Sequence, residues 1–292
     1  MVKNVKNIRS KSYKETTQIP DDLKNKLPTS YDIIGDIALI KLQNDLTRFK
    51  KEIGDAIIST HKNIRTVCLV KPVSGEFRTR KIEIIAGDKK TETCHREYGL
   101  NFYLDVKKTY FSPRLANERR RISELVKPNE TVVDMFTGVA PFSIMIAKYA
   151  KPEIVFAVDK NKDAIQYAQK NITVNRVLDK IELIQDDAKK LVNILSKYSI
   201  KADRVIMNLP FSSYNFFETA LKIIKNQATI HYYDIQHEDK IKERITQLST
   251  LAHNNNFKFV NYNIKKIKSY SPHEFYIGID ITAKKTIKKL PM

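Results

Sequence analysis

From Tyr110 onward the chain alternates between two hydrophobic rhythms. Runs with helical spacing cover Pro113 to Val126, Pro141 to Tyr149, Lys162 to Asn175 and Phe216 to Lys225. Short β-branched runs lie between them, at Thr131 to Met135, Ile154 to Val158, Lys180 to Gln185 and Arg204 to Met207. Successive strands separated by helices must cross over to pair, so this rhythm predicts an α/β domain with a parallel sheet covered on both faces. The pattern changes only near the end. There ATIHYYDI and a helix are followed by KFVNYNIKKI and EFYIGIDITA, two strand-like runs joined by a short turn. That pair predicts an antiparallel hairpin at one edge of the sheet.

The residues before this domain read differently. Residues 1–27 are polar, basic and aperiodic, and predict a flexible lead-in ending near Leu27-Pro28. Residues 28–108 hold SYDIIGDIALIKL, the helical stretch KKEIGDAIISTH, and the runs TVCLVKPV, RKIEIIAG and LNFYLDVKK. This is the signature of a small α+β module made mostly of strands. Residues 109–292 then form the larger α/β domain.

At 292 residues with 42% hydrophobic content, the chain can bury a substantial core. No window approaches 18 uncharged apolar residues, and the first residues lack the apolar block of a signal peptide. Membrane spanning and secretion are therefore not expected, and the cytoplasm is the expected compartment. Two cysteines, Cys68 and Cys94, supply neither a disulfide framework nor a zinc cluster, so no metal is expected. Fifty-two basic against 33 acidic residues give a net charge of +19, spread along the whole chain. Such a surface favours a polyanion, because each phosphate it neutralises releases counterions.

Ligands of open α/β sheets bind beyond the carboxyl ends of the strands. The residues expected there are DMFTG (134–138), Asp159-Lys160-Asn161, Asp186-Asp187-Ala188 and Asn208-Leu209-Pro210. The first turn, TGVAPF, holds one glycine where a dinucleotide site shows three. A pyrophosphate needs a bare backbone with several convergent N–H groups, whereas a cofactor without phosphate needs one close approach. NAD and FAD are therefore disfavoured, and the absence of GxxxxGK[ST] removes a P-loop NTPase. Asp159, about twenty residues past the turn, suits the two hydroxyls of a ribose. Asp186 and Asp187 offer acceptors to an adenine amino group. S-adenosylmethionine meets these requirements, with Phe136, Gly138, Val139, Asp159, Lys160, Asp186, Asp187, Ala188 and Asn208 as its expected contacts.

FSPRLANERRRI, DMFTGVAPFSI, VDKN and MNLPFSSYNF, in that order, resemble the archaeal and eukaryotic class I methyltransferases that modify guanosine N1 at tRNA position 37. The resemblance runs from about Ser30 to Ile281 and implies a Rossmann-like methyltransferase domain. Members of that family commonly carry an extra N-terminal domain that reads the tRNA elbow, and here a short basic lead-in stands in its place. Ala140 occupies a position where the family usually has glycine.

Guanine N1 carries a proton and attacks only after losing it, so the site needs a base near N1 and positive charge near O6. Ser112 is expected as a helix N-cap and Pro113 at the first helical position, which places Arg114 and Glu118 one turn apart on one face. On the residues alone, an exposed ion pair explains those two as well. The resemblance implies that Glu118 is the general base, that Arg78 contacts O6, and that Tyr110 supports the cofactor or target base. Asn208 is expected to orient the purine edge and Pro210 to fix its loop against the methyl donor. Arg114 and Arg119 are the expected RNA contacts, while His231-Tyr232-Tyr233 begins the next strand region and belongs either to the core or to the cofactor pocket.

The partner implied is tRNA, bound at its anticodon stem-loop, where a nucleotide outside regular duplex flips at low cost. The chain is expected to act as a monomer without a protein partner, holding the loop between its two modules. Two rival readings accompany this one. The first is methyl or aminocarboxypropyl transfer to C7 of the tricyclic wyosine precursor, alone or alongside N1 methylation. The second is a noncatalytic RNA-binding protein on a decayed methyltransferase scaffold, against which the intact strand-end acids argue.

Overall fold

The computed structural model describes residues 12–71 and 81–286. The chain divides into two compact units, residues 1–113 and 114–292.

In the first unit, strands β1 (Asp32–Ile34), β2 (Ile37–Ile40), β3 (Thr66–Val70) and β4 (Ile82–Gly87) form one sheet in that order. The β1–β2 hairpin turns at Gly35, whose φ of +56° lies in the left-handed region that glycine adopts without steric cost. Helix α3 (Lys50–Thr60) buries Ile53, Ala56 and Ile57 on one face. Residues 12–27 depart from the expected flexible lead-in. They form the short helices α1 (Tyr13–Thr16) and α2 (Asp21–Lys24), and Tyr13, Ile19, Leu23 and Leu27 join the core that α3 closes. Four apolar side chains suffice to anchor this otherwise polar segment, and the Tyr13 hydroxyl donates to the carbonyl of Pro28. The strand read at LNFYLDVKK does not join the main sheet. As β6 (Leu100–Asp105) it pairs with β5 (Glu92–Glu97) in a separate two-stranded ribbon.

The second unit opens with a 3₁₀ turn (Pro113–Leu115) and helix α4 (Ala116–Leu125). Strands β7 (Thr131–Asp134), β8 (Ile154–Asp159) and β9 (Ile181–Gln185) follow, separated by α5 (Pro141–Tyr149) and α6 (Lys162–Val174). Next come α7 (Leu191–Ser196), β10 (Ala202–Met207), α8 (Phe217–Ile223), β11 (Ile224–His237), α9 (Ile241–Asn254), β12 (Phe257–Ser271) and β13 (Glu274–Lys285).

The sheet runs β12-β13-β11-β10-β7-β8-β9. Pairings from β11 through β10 and β7 to β9 are parallel, while β13 is antiparallel to both β11 and β12. This is the α/β sheet with an antiparallel edge hairpin that the sequence rhythm predicts. The order reverses between β7 and β10, which puts the ligand crevice above those two strands. β7, β8 and β10 are buried along most of their length, which accounts for their β-branched, nearly continuous apolar sequences. A core of Val133, Met135, Val205, Met207, Ile230 and Ile279 fills one face beneath α8 and α9. β11 is longer than ATIHYYDI alone suggests and starts directly after α8.

Candidate active site

The carboxyl edge begins where β7 ends. The Met135 amide still bonds to Ile206 on β10 (3.0 Å) and the Thr137 amide reaches Val158 on β8 (2.8 Å), so the turn is fastened on both sides. Within it, Gly138 has φ +57° and Ala140 has φ +67°. Ala140 thus adopts a backbone that favours glycine, at a cost of about 1 kcal/mol. Pro141 then opens α5, where its missing N–H is no loss.

Two carboxylates flank this turn. Asp159 Oδ2 accepts from the Gly138 amide (2.7 Å) and Oδ1 from the Asn161 amide (2.8 Å). With the Lys160 amide also directed at this carboxylate, a half-buried, rigidly aimed acceptor remains for a vicinal diol. Burial raises the Asp159 pKa, partly offset by the Asn161, Gly138 and Lys160 amides.

Asp134 lies deeper, with 1% exposure. Ser143 donates to its Oδ2 (2.8 Å), which spends the only Ser143 proton, so Thr137, 2.9 Å away, donates to Ser143. Oδ1 has no hydrogen-bond partner among the described residues. Burial pushes the Asp134 carboxyl up to about 6; the hydroxyls of Ser143 and Thr137 work against this shift, and the charge of Asp159 adds to it. Two acids beneath one turn repel a pyrophosphate and favour a cationic ligand group. A sulfonium cofactor therefore fits these residues better than a dinucleotide does.

The remaining cofactor positions surround this centre. Phe136 is partly buried and meets Phe216 edge-on, with centroids 4.9 Å apart. Val139 is fully buried and its carbonyl accepts from Asn171 (3.1 Å), so its side chain belongs to the core rather than to a ligand surface. Asp187 caps the next turn through the Lys189 amide (2.9 Å) and lies 3.5 Å from Lys160. Asp186 pairs with Lys190 (2.8 Å), whose hydrogen bond and charge hold its pKa below the usual carboxylate value. Ala188 is buried at the start of the same turn.

Asn208 follows the end of β10, and its side-chain oxygen accepts from the Tyr276 hydroxyl. Pro210 is buried; around it Ser213 bonds both the Met207 carbonyl (2.9 Å) and the Leu209 amide (3.3 Å). The Tyr276 ring lies 6.0 Å from that of Tyr233, and the Tyr233 hydroxyl donates to Glu118 Oε1 (2.7 Å). Two buried tyrosines thus link Asn208 to Glu118.

Glu118 itself differs from expectation. The 3₁₀ turn delays the α-helix to Ala116, with Leu115 rather than Ser112 at the N-cap position. Glu118 is 6% exposed, and its partners are Arg121 and Tyr233 instead of Arg114. Arg121 grips both carboxylate oxygens (2.6 and 2.9 Å) and reaches Asp280 (2.6 Å). Burial opposes the Arg121 cation, but hydrogen bonds and charges from Glu118 and Asp280 outweigh it and raise its pKa.

From Asp280 the chain of contacts continues to His231 (2.6 Å), Arg204 (2.7 Å) and Glu130 (2.7 Å). His231 is therefore part of a buried polar row beside α4. Burial holds its pKa below the ordinary value. Sequence reasoning missed this row, whose members become neighbours only once the sheet has formed.

The other predicted positions are dispersed. Arg114 is exposed, but Arg119 is 1% exposed, which rules out a surface phosphate contact through it in this conformation. A helix of this composition gives no sign of which arginine turns inward. Tyr110 is half-buried in the first unit. Arg78 lies outside the described residues. Cys68 is buried, which pushes its thiol up to about 12, and Cys94 is half-buried. Among the described residues there is no acid, histidine and cysteine cluster suited to a metal, and no helix long and apolar enough to cross a membrane.

Comparison with known proteins adds family evidence. Residues 93–260 match the TRM5/TYW2 methyltransferase domain and residues 15–91 the TYW2 N-terminal domain. The Pyrococcus abyssi tRNA (guanine(37)-N(1))-methyltransferase Trm5b is 41% identical over 274 residues, 93% of this chain and 80% of the relative. The crystal structure of Trm5b from that organism superposes with a TM-score of 0.85 at 40% identity, covering 94% of this chain and 82% of the other. A Methanocaldococcus jannaschii tRNA(Phe) (4-demethylwyosine(37)-C(7)) aminocarboxypropyltransferase is 33% identical, covering 86% of this chain and 96% of the relative. The structure of M. jannaschii TYW2 in complex with AdoMet aligns with a TM-score of 0.66 at 29% identity, over 88% of this chain and all of the other.

Proposed function

The chain belongs to the TRM5/TYW2 methyltransferase family, and from that premise we propose that it transfers a methyl group from S-adenosylmethionine to N1 of guanosine 37 in tRNA. When bound, the cofactor supplies an electrophilic methyl group on a sulfonium centre. Asp159 holds the ribose hydroxyls through its remaining acceptor capacity, and Asp134 keeps negative charge beneath the turn.

The observation that carries the N1 assignment is the state of Glu118. Oε1 accepts two hydrogen bonds and Oε2 accepts one, so one acceptor position stays open on a carboxylate held in fixed orientation. Glu118 takes the N1 proton into that position as N1 becomes nucleophilic. Asn208, oriented by Tyr276, aligns the purine edge, and Arg78 is assigned to O6 by the family resemblance. A substitution tests this: Glu118→Gln lowers methyl transfer by about a hundredfold or more while tRNA and cofactor affinities stay close to wild type. Equal loss of binding would make Glu118 a purely structural residue.

The match of residues 15–91 to a TYW2 N-terminal domain favours a second reading, transfer to C7 of the wyosine precursor. Mass spectrometry of nucleosides from treated tRNA separates the two. 1-Methylguanosine supports the N1 reaction, and modification confined to the tricyclic base replaces it.

A further inference from the structure

β13 starts at Glu274, opposite His237 at the end of β11, so the β12–β13 turn stands on the carboxyl edge of the sheet. Phe211, immediately after Pro210, has φ +77° and is 56% exposed. Its ring meets that of Tyr270 edge-on, with centroids 5.4 Å apart and planes at 74°, and Tyr270 is 50% exposed. An edge-to-face contact occupies one face of one ring and leaves both faces of the other clear of its partner. A phenylalanine held in a left-handed backbone and more than half open to water gains little burial to offset that backbone.

The surroundings of this pair hold several lysines, of which Lys266 pairs with Glu238 (3.3 Å). Lys268 lies 5.2 Å over the ring of Tyr276, whose hydroxyl serves Asn208, and Lys266 lies 3.8 Å over Phe275. Lys265 is exposed beside them on β12. Aromatic faces interleaved with lysines suit an unpaired, polyanionic strand, since any base can stack and any phosphate can be neutralised. A second copy of this chain would bring its own +19 charge to the same rim.

We propose that Phe211 and Tyr270 form a stacking platform for an unpaired base next to the methylated guanosine, with the β12 lysines along the adjoining phosphates. The proposal rests on the tRNA reading above and adds the residues that grip the loop.

The test uses the full chain and a tRNA transcript carrying 2-aminopurine on the 3′ side of guanosine 37. Wild-type protein quenches the fluorophore on binding. Phe211→Ala/Tyr270→Ala abolishes the quench and raises the tRNA Kd about tenfold or more, with S-adenosylmethionine affinity, thermal midpoint and the salt slope of binding unchanged. Tyr270→Trp in the wild-type background retains the quench. Lys268→Ala instead lowers the salt slope by about one. A double variant whose quench and Kd stay within twofold of wild type overturns the platform while leaving N1 methylation standing. A wild-type dimer that the double variant dissociates, seen by sedimentation, also overturns it, because the rings would then serve self-association. If wild type quenches but yields no 1-methylguanosine, the N1 reading fails and the platform survives.

Discussion

Asp134→Asn removes a charge that the fold buries at a cost. The folded carboxyl titrates at about 6 against an ordinary 3.8, and this difference of roughly 2 units corresponds to about 3 kcal/mol. The sign follows from proton binding. Between these values the folded state holds the proton more firmly than the unfolded chain, so the contribution of Asp134 to stability is highest below pH ~4 and falls as pH rises through ~6.

Asparagine does not titrate, so the variant lacks this slope. An amide at this position brings its own unsatisfied N–H, which costs about 1–3 kcal/mol at every pH. The informative quantity is therefore the change in the variant-minus-wild-type difference. It should move by about 2–3 kcal/mol in favour of the variant between pH 4 and pH 7. Urea denaturation at closely spaced pH values measures this, and calorimetry at pH 7 should show weaker S-adenosylmethionine uptake. Parallel stability profiles for the two proteins would refute the assignment of a strained, ionised Asp134.

Asp280→Asn acts in the opposite sense. Hydrogen bonds and charges from His231 and Arg121 overcome burial and hold the Asp280 carboxyl well below the usual range, so its contribution is present at neutral pH and lost as pH falls below ~4. Because Arg121 keeps Glu118, a loss of about 3 kcal/mol is expected at pH 7, shrinking in acid; a loss under 1 kcal/mol in denaturant titrations would contradict the polar row. Gly35→Ala puts a Cβ 2.1 Å from Thr93 Oγ1 and 2.6 Å from the Cys94 carbonyl, in a left-handed backbone. It should destabilise the first unit by about 3 kcal/mol, read as a lower urea midpoint with an unchanged slope.

Why some features were legible from the sequence and others were not follows from what each side chain contacts. β7, β8 and β10 are flanked by helices on both faces, and that environment selects the apolar runs that reveal them. The acids ending β7 and β8 were legible for the same reason, since a sudden carboxylate after a buried strand marks the sheet edge. β5 reads ETCHRE, mostly polar, and exists through its ladder with β6 rather than through burial of its own. Residues 12–27 contribute four apolar anchors with no single period. Arg121 and Asp280 stand 159 residues apart, so no local spacing could announce their pairing or assign Glu118 its true neighbours.

β12 closes the sheet with fifteen residues and, among the described residues, has no strand on its outer side, where Val260, Tyr262 and Ile264 are 37–55% exposed. A strand of that length would ordinarily recruit another chain into an extended ladder. Its register irregularities and the repulsion among Lys258, Lys265, Lys266 and Lys268 oppose this. On the proposed RNA platform, solubility and nucleic-acid capture would depend on one set of ammonium groups. Neutralising them by acetylation would weaken RNA retention and, in the same step, remove the guard against fibre-like stacking.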